Sequence, residues 1–381
     1  MLKETVVSVA PALRERALAP DLARGLMLAL IALAHAQLLT GRVLAPLPGT
    51  TTPADTVVQV VLTLLVDSRA YPMFAALFGY GLVQILRSRE RTAGPDGARR
   101  VLRRRGGWLV AFGIGHTVLL FTGDILAAYG LLALLWAGML RAPARRLVTI
   151  AVVAAGTGAL AYGAVLAVPD PTGGAEAPAD PLTSALLRMT VFPVLTPLNA
   201  VMAAAPFLLG VLAARRRLLE DPAAHRPLLR RAAAAGIGVA VLGALPQAAR
   251  TTGLWSPDTG AAVAAGALHT LTGYAGGLGY AAAIGLLAVH LGTRRDSGPT
   301  GALVACGRRS LSCYLAQSVA WLLLFEPYLL DLGGSVGPAG ASLVGLGVWG
   351  STVVVAALAA RAGRAGPAEA LLRRLVEPGH R

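Results

Sequence analysis

Apolar residues in this chain gather into long unbroken runs, separated by short clusters of arginine. The clearest pair lies between Arg103 and Arg141: two apolar stretches with arginines at both outer ends, joined by Thr122-Gly123-Asp124. So short a turn forces the chain to reverse. It predicts an antiparallel hairpin of two helices, with the arginines on one side and the turn on the other. His116 falls inside the apolar stretch and Asp124 at its far edge. Several runs reach the roughly 20 residues that a helix needs to cross the hydrocarbon core of a bilayer. The pattern predicts ten spans, at about 22–44, 69–87, 104–121, 124–141, 146–168, 191–214, 230–248, 262–292, 302–325 and 341–361. A further apolar run at 56–66 is too short to cross and is expected to lie at the interface or to dip in and return. The closing GPAEALLRRLVEP predicts a short amphipathic helix along the cytoplasmic interface, with Arg373 and Arg374 on its polar side.

Composition agrees with this pattern. Of 381 residues, 55% are hydrophobic and 14% charged, and the mean hydropathy is +0.64. A soluble domain carries about 25% charged residues, so the class is an all-α, polytopic transmembrane helical bundle. The runs are continuous rather than alternating, which disfavours a transmembrane barrel. A formal charge of +15 would suggest nucleic acid, but the basic residues sit in clusters between apolar spans, the pattern that orients helices in a membrane. All but Lys3 are arginine. Alanine and glycine are abundant too, so the arginine excess reads as compositional bias rather than phosphate recognition. With the N-terminus inside, every one of the 34 basic residues except Arg42, Arg69, Arg188 and Arg250 falls on the cytoplasmic side. Asp170, Glu176, Asp180, Asp258, Glu326 and Asp331 fall on the other. Both termini are therefore expected in the cytoplasm and the chain in the cell membrane, with the lipid bilayer as its partner and no nucleic acid. The oligomeric state is not legible.

The chain reads as a single integral membrane domain: five spans over 1–168, an extracytoplasmic loop at 169–190, five more over 191–361, and a cytoplasmic amphipathic tail at 362–381. The charged start, with Lys3, Glu4, Arg14 and Glu15, is unlike a cleaved leader, so the first span is expected to be retained. Cys306 and Cys313 lie seven apart and form no metal-ligand pattern, and a structural disulfide is not expected.

Ionisable and polar residues inside a span are costly, so each is a candidate site. Asp21, Arg24 and His35 share one face of the first helix. Asp21 and Arg24 read either as interfacial anchors or as ligand contacts, and His35 as a structural or a functional histidine. His116 and Asp124 can meet across the hairpin turn. A carboxylate beside an imidazole orients it and raises its basicity, while Asp124 can equally cap the next helix. Arg69, preceded by Asp67, is a rare outer arginine placed to pair locally or to bind an anionic group. His269, Thr270, Tyr274 and Tyr280 lie in a glycine-rich span. Ser310, Tyr314, Gln317 and Trp321 form a stripe that faces protein or a cavity, where interhelical hydrogen bonding would also explain it. No metal-binding, nucleotide-loop or nucleophile-elbow motif stands in a believable context.

Taken together, these elements resemble the bacterial YeiB-like membrane proteins, the family labelled domain of unknown function 418. The matching residues are Asp21-x-x-Arg24-Gly25, the block from Arg69 through Ala75, Leu77, Phe78, Gly79 and Gly81, and Arg103-Arg104 with His116. Gly123-Asp124-Ile125-Leu126 with Tyr129 follows, then Gly307-Arg308 with Leu311, Tyr314, Gln317 and Ser318, then Gly366-Pro367 with Glu369 and Arg373. His35 and Cys313 stand where that family usually has asparagine. The family is distantly similar to transmembrane acyltransferases of the heparan-glucosaminide acetyltransferase type. Those carry a catalytic histidine before the second span, where this chain has none, so the role would pass to His116.

The resemblance implies a polytopic acyltransferase-like enzyme that modifies an envelope sugar, lipid or small metabolite. His116 would serve as general base and Asp124 would orient it. Arg24, His35, Arg69, His269, Tyr314 and Gln317 would contact substrate. Acyl-CoA would be a co-substrate rather than a bound cofactor, its phosphates met by Arg103, Arg104 or Arg308 at the inner face, and no metal is implied. The alternative is a transporter or exporter of a small anionic or lipidic solute, with the same residues lining a pathway between two groups of five spans. A non-catalytic membrane scaffold is a third reading.

Overall fold

The computed structural model describes residues 17–39, 52–168, 178, 180–292 and 298–377. The charged N-terminal residues, Arg42 with the end of the first expected span, and the Pro-, Gly- and acid-rich start of the 169–190 loop lie outside them.

Every described element is helical, because a chain surrounded by hydrocarbon must satisfy its backbone hydrogen bonds within each segment. In order they are α1 (Leu18–Leu39), α2 (Pro53–Leu65), α3 (Ala70–Leu119), α4 (Leu126–Trp136), α5 (Ala144–Ala167), α6 (Pro181–Arg215), α7 (Arg226–Thr251), α8 (Thr259–Leu291), α9 (Gly298–Arg308), α10 (Ser310–Phe325), α11 (Pro338–Arg361) and α12 (Pro367–Val376). Helix stands at each of the ten expected spans. Seven helical stretches are long and apolar enough to cross a membrane, one of them running from Pro53 to Leu119, while α4 and α10 are shorter. Large apolar side chains point outward along α5 and α11, among them Val152, Leu160, Leu343 and Val355, as lipid-facing helices require.

Two interruptions shape the bundle. At Gly94, φ is 67° and Pro95 follows, a backbone that glycine adopts without strain and that ends one helical arm of α3 at 70–93 before the next at 95–119. Phe74, from the first arm, lies 5.0 Å from the Tyr129 ring and 6.5 Å from Tyr314, and His116, from the second, lies 5.1 Å from Tyr314. An unbroken helix rising 1.5 Å per residue would separate Phe74 and His116 by about 60 Å, so the chain reverses at Gly94. The second break is at Arg309 (φ −115°, ψ 28°), which divides α9 from α10 where the sequence predicted one span. It puts Cys306 and Cys313 on different helices, both as free thiols.

The hairpin forms as expected. A Cβ added at Gly106 would lie 2.9 Å from the Gly130 carbonyl, and one at Gly113 would meet Ala127 and Asp124, the ladder of an antiparallel pair. Elsewhere backbones touch directly: Cβ atoms at Gly79 and Gly210 would run into the Phe207 and Ala76 carbonyls, locking α3 against α6. Such contacts supply packing where lipid offers no hydrophobic drive between helices. The N-termini of α6 and α8 are capped by carboxylates, Asp180 accepting from Thr183 N (2.9 Å) and Asp258 from Ala261 N (2.8 Å). α2 is short, as expected, and carries a Thr52–Asp55 capping box.

Gly210→Val should destabilise the bundle by about 1–3 kcal/mol, the usual cost of overpacking, because the new side chain has only backbone to displace. Thermal denaturation in detergent should show a lower midpoint for this variant. Gly156→Ala, with nothing within 4 Å, should leave it unchanged.

Candidate active site

The arginines that the sequence scatters between spans converge in space. A cavity of about 1590 Å³ opens among Arg87, Arg89, Arg105, Arg309, Arg364 and Arg373 and narrows to an aromatic floor of Phe74, Tyr129 and Tyr314. Amphipathic α12 closes part of its mouth. Leu372 and Val376 pack on Leu109, and Glu377 pairs with Arg89 at 2.6 Å. Glu369 reaches the N-terminus of α10, accepting from Leu311 N (2.7 Å), Ser312 N (3.2 Å) and Ser312 Oγ (2.5 Å). The tail thus holds the helix that carries Tyr314.

Behind that floor lies His116, 3% exposed. Its Nε2 is 2.8 Å from Ser318 Oγ on α10. Its Nδ1 is 3.0 Å from Asp124 Oδ1, off the line of the ring N–H, so the two touch without an aligned hydrogen bond. Asp124 is fixed by its second role: its carboxylate accepts from Leu126 N (3.1 Å) and Ala127 N (2.7 Å) and caps α4. The capping role weighed for this residue is therefore met, and the same carboxylate lies against the imidazole. His35 lies against Phe121 (ring centroids 4.5 Å) and 6.1 Å from Tyr314. The hydroxyls of Thr117 and Tyr314, the Gln317 amide, the Trp321 indole nitrogen and His35 Nδ1 are buried without a hydrogen-bond partner. Buried polar groups are normally paired, so a cluster of unpaired ones beside a histidine marks a place for a polar ligand or water.

The other expected residues divide between two places. Arg24 and Arg308 both bind the buried Asp21 carboxylate, at 3.1 and 3.2 Å, and both line the cavity. Arg103 and Arg104 do not line it. Helical phase puts Val101, Arg105 and Leu109, four apart, on the cavity side, and turns Arg104 toward the Leu375 carbonyl at 3.4 Å. Arg69 and His269 meet each other instead, with Arg69 Nη1 3.2 Å from His269 Nδ1. Arg69 is fully buried, donates also to the Asp67 and Ala240 carbonyls, and forms a polar cluster apart from the cavity. Among the described residues, no three His, Cys, Asp or Glu converge to hold a metal ion.

Ser318 and Arg105 are the members that sequence reasoning did not single out. Ser318 entered only as a motif match, and Arg105 only as one of an arginine run. Periodicity from Val101 to Leu109 carried the signal for Arg105. Nothing local carried it for Ser318, which is 202 residues from His116.

Residues 213–378 match the family described as Protein of unknown function (DUF418). That match supports the family that the sequence resemblance implied. No curated protein matches the chain.

Glu369→Ala should cost about 1–2 kcal/mol, as loss of a helix cap does, and should speed amide exchange at Leu311 and Ser312 ahead of the rest of α10. Hydrogen exchange followed by mass spectrometry would read this directly.

Proposed function

We propose that the protein is a multi-pass acyl-transfer enzyme of the cell membrane, with ten crossings and both termini on the cytoplasmic side. It moves an acyl group from cytosolic acyl-CoA to an envelope sugar, lipid or small metabolite. One observation carries the reading: the arginine-rimmed cavity ends on Tyr314, whose ring packs 5.1 Å from His116. Guanidinium groups are suited to phosphate oxygens, and Arg105, with a buried Nε lacking a partner, is the arginine best placed to bind them. Leu77, Phe78 and Ile85 give the cavity an apolar wall for an acyl chain. Its volume of about 1590 Å³ exceeds the roughly 300–1,000 Å³ of ordinary ligand sites, as a long extended donor requires. His116 acts as general base, Asp124 orients it, and Arg24 and Arg308, organised by Asp21, hold an anionic group near the mouth. His35, Tyr314 and Gln317 contact the acceptor beside His116.

A solute pathway is the second reading, favoured by the break at Arg309, since interrupted helices often end at transported ions. The N-terminus of α10 at that break is already occupied by the Glu369 carboxylate, which leaves it closed to an anionic solute.

Acyl-CoA should raise the melting temperature of the purified protein. Arg105→Ala should weaken binding by about tenfold or more, since a hydrogen bond to a charged group contributes about 1.5–3 kcal/mol. Arg103→Ala should leave binding unchanged. His116→Ala should bind normally but transfer on the order of 10²–10⁴ more slowly. Absence of stabilisation by any acyl-CoA would reject the enzyme reading in favour of solute uptake, measured in proteoliposomes.

A further inference from the structure

Ser318 is a buried serine in mid-helix, and such residues commonly do no more than donate to the carbonyl one turn back. Its Oγ is indeed 3.2 Å from the Tyr314 carbonyl. It also lies 2.8 Å from His116 Nε2, the shorter of its two contacts, and its single proton goes to Nε2 whenever that nitrogen is the acceptor. A neutral imidazole carries one N–H. Asp124, 3.0 Å from Nδ1, draws that proton to its own side and leaves Nε2 as the acceptor for the serine hydroxyl. The carboxylate cannot easily turn away, because the Leu126 and Ala127 amides hold it. The Nδ1 contact lies off the N–H line in this structure, and activation of the serine requires the ring to turn for it to become a hydrogen bond, as catalytic contacts often tighten only with substrate bound. Three separate segments, the second arm of α3, the hairpin turn and α10, thus place a hydroxyl, a base and an orienting carboxylate in the order that activates a serine.

The surroundings fit the next requirement, donors for the charge that develops on a carbonyl oxygen under attack. Within one turn of Ser318 the same helix carries Gln317 and Trp321. The Gln317 amide nitrogen and the Trp321 indole nitrogen are both buried without a partner. Thr117, next to His116, has an unpaired buried hydroxyl.

We propose that Ser318 is a covalent nucleophile that accepts the acyl group, so that transfer runs in two steps rather than directly from donor to acceptor. Identification of the donor as an acyl thioester rests on the acyl-transfer reading above; activation of Ser318 rests on the geometry alone. In the first step Ser318 Oγ attacks the thioester carbonyl and its proton passes to His116 Nε2. The carbon–sulfur bond breaks, and the departing thiolate takes that proton to leave as the thiol. In the second, an acceptor hydroxyl attacks the serine ester and gives its proton to Nε2. The ester bond to Oγ breaks, and Oγ recovers the proton.

The full chain in detergent would be incubated separately with a long-chain acyl-CoA and with an alkyl fluorophosphonate, and adducts located by mass spectrometry. Both reagents should modify Ser318. The adducts should be absent from Ser318→Ala and form on the order of 10²-fold more slowly in His116→Ala. The acyl ester should survive neutral hydroxylamine, whereas Ser318→Cys should carry a thioester that does not. Phosphonylation of Ser318 without consumption of acyl-CoA would uphold the nucleophile and remove the acyl-CoA reading. Undiminished acyl transfer by Ser318→Ala would overturn the proposal and leave direct transfer at His116. Failure of both reagents to mark Ser318 would also overturn it.

Discussion

The Asp124 carboxylate is the point on which the interior of this bundle turns. It sits almost fully buried, where a charge without partners would be prohibitively costly. Two backbone amides of α4 satisfy it, and these same amides would otherwise be orphans at a helix start. The hairpin turn is thereby fixed, and a fixed turn holds the two backbones close enough for Gly106 and Gly113 to pack against α4. His116, one turn before the reversal, is delivered against the carboxylate as a consequence of that packing. Removing Asp124 would disturb a cap, a turn and a base together, so its effects on stability and on chemistry are coupled by construction.

A second carboxylate plays the corresponding part at the arginine-rich end. Glu369 takes the exposed amides of α10 into its own hydrogen bonds and ties α12 across the cavity mouth. The helix so anchored carries Tyr314 to the cavity floor and Ser318 to His116. Asp21 binds α1 to α9 through Arg308 in the same region. Arginine is abundant at this end, and the few buried acids decide which arginines are tied down and which remain free to meet a ligand. Arg105, whose Nε has no partner, belongs to the second group.

Much of this architecture is legible from residues alone. Runs of about 20 apolar residues leave a helix no alternative in hydrocarbon. The three-residue turn at Thr122-Gly123-Asp124 leaves no alternative to reversal, and its shortness alone brings the base within reach of its carboxylate. Gly94-Pro95 and the arginines around it announce the boundary within α3. The break at Arg309 was not legible, because Gly307 and Ser310 beside it do not by themselves force an interruption, and Glu369, which takes the amides that follow, lies far along the chain on α12.

The sequence by itself determined the helices, their reversal points and the pairing of His116 with Asp124, since each follows from local desolvation or from a turn too short to do anything else. Tertiary structure alone decided that Ser318 meets His116 and that Arg69 and His269 form a separate cluster. The reason is physical. In water a helix shows which face is buried by being apolar there, but in a bilayer the lipid-facing side is as apolar as the packed side. The rotation of each helix is then set by close backbone contacts, such as those of Gly79 and Gly210, which exist only once the neighbouring helix is in place.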